Sequence, residues 1–319
     1  LCQGDSGTRG KGEEAGRTGM MPDKALGGTE LAFNSLTSLL DCSKVNLISS
    51  ICDTRQLELS RPNVIWEQLS YDQENVQTLS NPSFVSMLDQ LVFVSHWQHE
   101  QFFKRFPIRD CRRSVIQNAI HPFPAHKKPD GKIRLIYTST PWRGLSVLAE
   151  AYAKLNRSDV ELVVYSGTSI YGNAFAAQSK GKYDELYQRL NNVGATHIEY
   201  APNEEIREAL MQAHIFAYSN IWEETSCIAA IEALGAGCKV VTTSFGALPE
   251  TCGLWADYVL ISNDLVDRYA EALNQAINDY KSSETSDKLA DQVAYYDKHW
   301  TWDARIVQWK KLFKRLGER

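Results

Sequence analysis

The 319-residue chain lacks any apolar run approaching the ~20 residues that a membrane-spanning helix needs. It also lacks C-x-x-C pairs. Its seven cysteines (Cys2, Cys42, Cys52, Cys111, Cys227, Cys238 and Cys252) are odd in number and scattered. That pattern speaks against zinc-ribbon and thioredoxin-like chemistry and for reduced thiols in a cytoplasm. No apolar stretch opens the chain, so no secretory signal is read there. The first 28 residues contain no Val, Ile, Phe, Tyr or Trp, yet hold eight of the 19 glycines. A polar, Gly-rich segment cannot offset its ordering entropy, so residues 1–26 are expected to be a disordered or non-native leader. Gly10-Lys-Gly12-Glu-Glu-Ala15 matches a dinucleotide fingerprint, but no strand precedes it, and the match is set aside. An excess of positive charge is missing too. Lys and Arg number 34 against 39 Asp and Glu, a net −5, which argues against a dedicated nucleic-acid binder. The balance is uneven, because Lys298 to Arg319 carries seven Lys or Arg against two Asp or Glu.

What is present is an alternation of β-rich and helical stretches. A helix is read over Glu30–Leu40, and short strands over Val45–Ile51, Asn63–Trp66, Gln90–Val94 and Ser114–Gln117. Pro82–Asp89 and His96–Arg105 read as helices between them. Three prolines and an Asp-Gly in Ala119–Gly131 mark a linker. A second run follows, with strands at Ile133–Tyr137, Val160–Tyr165, His197–Tyr200, His214–Tyr218, Lys239–Thr243 and Tyr258–Ile261. Helices are read between them at Leu145–Leu155, Tyr183–Asn192, Glu204–Gln212 and Ser226–Ala236. Six strands with crossover helices form a doubly wound α/β domain. At the end, Trp302, Ile306, Trp309, Phe313 and Leu316 recur at helical spacing, with Lys310, Lys311, Lys314 and Arg315 on the other face.

The most informative stretch runs from Tyr218 to Glu250. A buried strand ends at Tyr218, and a polar loop follows at the strand's C-terminal edge, where α/β proteins bind ligands. Thr225 and Ser226 are N-cap residue types, so a helix is expected to begin there with free N–H groups for an anion. Glu224 lies just before that helix. Glu232 lies inside it among Ile228, Ala229, Ala230, Ile231, Ala233 and Leu234, where a buried carboxylate requires a partner. Sugar hydroxyls would serve. Cys227 at the helix start could have a depressed pKa, but no partner His is evident. His96 and His99 lack the Glu and third ligand of known zinc helices.

Glu224 and Glu232, with seven residues between them, then Ala-Leu-Gly-Ala-Gly, a Val-Val strand and Gly246-Ala-Leu-Pro-Glu250, resemble the donor site of GT-B retaining glycosyltransferases of the family 4, or group 1, kind. Tyr137–Leu145 resembles that family's Gly-Arg…Lys-Gly segment, with Arg143 at the Lys and Thr140 in place of the first Arg. Val94-Ser95, Ile116–Ile120 and Gly27-Gly28 resemble further family segments. The likeness spans roughly Gly27 to Leu316.

The resemblance implies an α/β GT-B fold, with two Rossmann-like domains facing a cleft and a C-terminal helix crossing back to the first. Residues 27–124 would form the acceptor-side domain, its first strand apparently missing. Residues 125–299 would form the nucleotide-sugar domain, and 300–319 the crossing helix. It implies transfer from a nucleotide-diphosphate sugar to an acceptor hydroxyl with retention. Glu224 would hold the transferred sugar, Glu232 the ribose and Arg143 the diphosphate. Thr225, Ser226, Cys227, Gly27, Gly28 and Thr140 would line the donor. No D-x-D occurs, so no metal and no cofactor beyond the co-substrate are expected. The acceptor would be a glycan, a lipid-linked glycan or a small molecule, met in the cytoplasm or at the membrane periphery through the basic terminal helix. A sugar-nucleotide-binding protein with little transferase activity and a GT-B-type epimerase stay open as alternatives.

Overall fold

The computed structural model describes residues 27–317. The early Gly-rich fingerprint and the strand expected before Gly27 fall outside them.

The first unit begins with α1 (Gly28–Leu39), followed by β1 (Asn46–Ser49), β2 (Asn63–Glu67), α2 (Pro82–Val85), β3 (Gln90–Phe93), α3 (His96–Arg105) and β4 (Arg113–Val115). Its four strands pair in parallel in the order β1-β2-β3-β4. Every residue of β2 and β3 is buried, as a parallel sheet covered on both faces requires. One face packs Ile48, Ile65, Leu91 and Phe93 against Phe84, Phe102 and Ile108. The other packs Val64, Trp66 and Val92 against Ala32 and Leu36 of α1.

The second unit runs β5 (Ile133–Thr138), α4 (Leu145–Leu155), β6 (Val160–Tyr165), α5 (Asn173–Gln178), α6 (Asp184–Asn192), β7 (Thr196–Ile198), α7 (Asn203–Gln212) and β8 (Ile215–Tyr218). It continues through α8 (Ile228–Gly235), β9 (Lys239–Thr243), α9 (Leu248–Cys252), β10 (Ala256–Val259), α10 (Leu265–Asp279) and α11 (Ser283–His299). The sheet is fully parallel, in the order β10-β9-β8-β5-β6-β7. The chain order reverses between β5 and β8. Their C-terminal ends therefore flank the crevice in which doubly wound folds bind ligands.

Two segments join the units side by side. The 116–132 connection leaves the first sheet, and Trp300–Trp302 returns. Ile120 pairs with Thr301 in an isolated parallel bridge, its N–H donating to Trp300 O (2.9 Å) and its carbonyl accepting from Trp302 N–H (3.1 Å). The returning chain forms α12 (Trp302–Gly317), which packs across the first sheet. Trp302, Trp309, Leu312 and Leu316 are buried there, with the Trp66 and Trp309 rings edge to face at 5.1 Å. The expected stripe holds, with Ile306 and Phe313 at its half-buried margin. Arg305 joins the buried face, donating to Gln117 O (2.9 Å) and Gln117 Oε1 (3.0 Å). Burial brings its pKa down to about 10.

Several boundaries differ from the sequence reading. α2 ends at Val85, after a Pro82 start capped by the Asn81 side chain. β10 ends at Val259, and Leu260 and Ile261 emerge into solvent beyond the sheet. α8 starts at Ile228, two residues later than expected, for a reason given below. α10 and α11 were not anticipated. α10 shows the helical stripe clearly in retrospect, burying Leu265, Tyr269, Leu273, Ala276 and Ile277.

Candidate active site

The site is assembled where β5 and β8 diverge. After β5 the chain turns through Thr140 and Arg143 to Gly144, which opens α4 at φ +95°. A Cβ at Gly144 would fall 1.9 Å from Ser219 O, so only glycine lets this turn lie against the end of β8. Ser219 Oγ donates to Gly144 O (2.7 Å), fastening the two loops together. This closeness brings Arg143 to Glu224. Arg143 Nη1 lies 2.8 Å from Glu224 Oε1, and the Tyr218 hydroxyl donates to the same oxygen at 2.5 Å. Glu224 is buried, as is Tyr218, whose hydroxyl pKa burial raises far above its usual value. Gly246, at φ +63°, lets the loop after β9 pack on the Glu224 backbone, where Ala247 N–H donates to Glu224 O (2.7 Å).

The expected capping of α8 by Thr225 or Ser226 is not what forms. The N-cap is Cys227, in the left-handed region at φ 70°, with no side-chain cap hydrogen bond. Thr225 turns instead toward the first unit and donates to Gln68 O (2.8 Å). Ser226 is buried with its hydroxyl unpaired, and its carbonyl accepts from Thr251 Oγ1. Competition from these tertiary contacts outweighs the local preference for a capped helix. The free amides at the start of α8 remain an anion-favouring feature. The thought of a depressed pKa at Cys227 is overturned: it is buried beside Glu224, and desolvation raises its pKa well above the ordinary thiol value. Gly28, at the start of α1, lies over the same helix end, since a Cβ there would sit 3.2 Å from Ile228 Cδ1. Gly27 is the N-cap of α1.

Glu232 is buried one to two turns into α8, and its partners come from α7. Arg207 Nη1 lies 3.3 Å from Glu232 Oε1, and Asn203 Nδ2 donates to the same oxygen at 3.4 Å. Desolvation raises the carboxyl pKa, opposed by the Arg207 charge. Sequence reasoning demanded a partner without finding it. Arg207 lies 25 residues away, on a helix face indistinguishable in sequence from a solvated one.

The first unit closes the other wall. Gln68 and Asn118 exchange side-chain amide bonds at 3.0 Å, both buried. Tyr71 OH donates to Glu223 Oε2 (2.7 Å). Glu250 accepts the N–H groups of His96 (2.9 Å) and Trp97 (3.0 Å), so a carboxylate of one unit caps helix α3 of the other. Gln117 Nε2 donates to it as well (3.2 Å). Sequence reading missed Gln68, Tyr71 and this role of Glu250. Five hydroxyls at the strand ends and nearby loops are buried without hydrogen-bond partners: Thr138, Thr140, Ser166, Ser169 and Ser226. Such a concentration fits a polar ligand surface. Thr140, where the resemblance would have a cation, is among them.

Among the described residues, no three His, Cys, Asp or Glu side chains are grouped to hold a metal ion, and no helix is long and apolar enough to cross a membrane. Residues 118–297, which include every strand and loop of the second unit, match the family described as glycosyl transferases group 1. The chain belongs to this family. This group 1 glycosyltransferase is similar to a subunit of the human phosphatidylinositol N-acetylglucosaminyltransferase, at 25% identity over 209 residues. The matched stretch covers 62% of the chain and 40% of the human protein, so the chain spans well under half of that relative's length. Among solved structures, a glycosyltransferase from Rickettsia africae superposes with a TM-score of 0.69 at 11% identity, covering 93% of this chain and 84% of that one. Sucrose-phosphate synthase from Thermosynechococcus elongatus gives 0.64 at 15% identity, covering 89% and 76%. The Anabaena protein HepE, solved with UDP-glucose, gives 0.64 at 16% identity, covering 80% and 73%. These likenesses establish the GT-B fold.

Proposed function

We propose that this group 1 glycosyltransferase moves a sugar from a nucleotide-diphosphate sugar to an acceptor hydroxyl with retention, without a divalent metal. The Arg143–Glu224 pair at the β5/β8 divergence carries this reading. It places a cation and a buried carboxylate 2.8 Å apart at the mouth of the crevice, next to the free amides of α8. In this reading Arg143 leaves Glu224 to neutralise the diphosphate as the sugar–oxygen bond breaks. Glu224, held by Tyr218, then accepts hydroxyls of the transferred sugar. Glu232 holds the ribose, and the backbone at Gly27–Gly28 and Thr225–Cys227 lies along the phosphates. Thr140 and the neighbouring unpaired hydroxyls would supply neutral donors in place of a second cation. Gln68 and Tyr71 face this site from the acceptor side. The named ligand of HepE, UDP-glucose, makes uridine donors the first to test.

The acceptor is proposed to be a glycan, a lipid-linked glycan or a small molecule. A cytoplasmic location at the membrane periphery is supported by six unpaired cysteines among the described residues and by the exposed basic face of α12. A thermal-shift screen of nucleotide sugars with a Glu232→Gln control tests the donor assignment. Stabilisation of the wild type by one nucleotide, lost in the variant, is the expected result. No response, or an equal response in both, would overturn it. Nucleotide binding without product across an acceptor panel would favour a binding protein. Release of free sugar and nucleotide without any acceptor would favour an epimerase.

A further inference from the structure

The Arg207 guanidinium stands where the candidate donor site meets the junction of the two units. One arm, Nη1, reaches Glu232 Oε1 (3.3 Å). The other arm, Nη2, donates to the carbonyls of His121 (3.0 Å) and Pro122 (2.9 Å). Its plane covers the Phe123 ring, 3.8 Å from the centroid. His121 directly follows Ile120, the residue bridged to Thr301 where the returning segment crosses. A single side chain thus grips both the carboxylate and the connection between the units.

Two features make this grip directional. A guanidinium is planar and rigid, so its two arms cannot move independently, and stacking on Phe123 holds that plane in place. Both protein bonds to Glu232 fall on Oε1, leaving Oε2 without a protein hydrogen bond among the described residues. A ligand hydroxyl can therefore engage Oε2 while Arg207 keeps hold of Oε1. Any shift of the carboxylate is passed to the His121 and Pro122 carbonyls. We propose that Arg207 is a positioning residue that presents Glu232 to the donor ribose and couples its occupancy to closure at the junction. This rests on the reading of Glu232 as the ribose-holding residue.

The test is a double-mutant cycle on nucleotide affinity, measured by calorimetry with UDP and GDP, across wild type, Arg207→Gln, Glu232→Gln and the double variant. Arg207→Gln should weaken binding about ten- to a hundredfold, the range for losing a hydrogen bond to a charged group. The double variant should be no weaker than the weaker single one, because the two residues act as one unit. Multiplied effects would overturn the coupling. Small-angle scattering supplies the second readout. Wild type should become more compact on saturation with nucleotide, and Arg207→Gln should not. Arg207→Lys, which keeps the charge but cannot span both partners, should recover most of the affinity and none of the compaction. If Arg207 is only a staple, its variants will melt earlier while affinity and compaction stay at wild-type levels, and the inference fails although the donor reading stands. Arg207→Lys also decides the matter if Arg207→Gln does not fold. If neither nucleotide binds the wild type, the donor reading fails and this inference falls with it.

Discussion

Glu67 is a carboxyl group with no room for its charge. It ends β2 fully buried, accepts the Leu69 N–H at 2.8 Å and faces the Cys52 thiol at 3.8 Å. Desolvation pushes its pKa up to about 8. In the unfolded chain the same group ionises near its ordinary value of 4.5. Its contribution to stability is therefore complete below that value and is lost as pH rises toward about 8. Glu67→Gln keeps an acceptor and has no proton to lose. Urea midpoints measured between about pH 5 and pH 8 should fall for the wild type and fall less for the variant; parallel profiles would refute the assignment. A second prediction concerns Glu224. Glu224→Gln leaves the volume and the Tyr218 contact but removes the charge facing Arg143. Transfer should drop by about a hundredfold or more at unchanged fold, measured as kcat with the donor identified by screening. Residues such as Glu224 and Glu232 were legible in the sequence because a charge just before or inside an apolar helix violates its pattern. Gln68, Asn203 and Arg207 were not, because a polar residue on a loop or on an amphipathic helix violates nothing.

At the scale of elements, the apolar periodicities located nearly every strand and the ends of α3 and α4. They failed where tertiary contacts compete with local preference. α8 is the clearest case: two good capping residues precede it, yet Thr225 bonds across to Gln68 and the helix waits for Cys227. The β5–α4 turn is the element on which the site most depends. Gly144→Ala would place a Cβ against Ser219 O in a left-handed backbone. The cost should exceed by a wide margin the ~1 kcal/mol of an ordinary change between these residues, read as a lowered melting temperature together with lost nucleotide binding. α12 gives the complementary prediction. Trp309 is fully buried between the terminal helix and the first sheet, so Trp309→Ala should cost about 3–5 kcal/mol in chemical denaturation. A cost below about 1 kcal/mol would show that the helix is not docked there.

Across the whole molecule, the two units are held by few but specific polar contacts: Tyr71 to Glu223, Thr225 to Gln68, and Glu250 to the start of α3. Glu250→Ala removes the cap of α3 and the bond from Gln117, while leaving both cores untouched. The radius of gyration should increase with little change in melting temperature; an unchanged radius would show that this clasp does not hold the units together. The sequence by itself determined the α/β class, the linker, the order of the second sheet's strands along the chain, the amphipathic terminal helix and the two glutamates. Each follows from local pattern, chain order or a charge out of place. Only the tertiary structure decided that the sheet reverses between β5 and β8, bringing Arg143 within 2.8 Å of Glu224 from 81 residues away. It alone set Arg207 between Glu232 and the junction, and Glu250 on the neighbouring unit's helix. Those pairings depend on where distant backbone segments come to rest, and short-range propensity and periodicity carry no record of that.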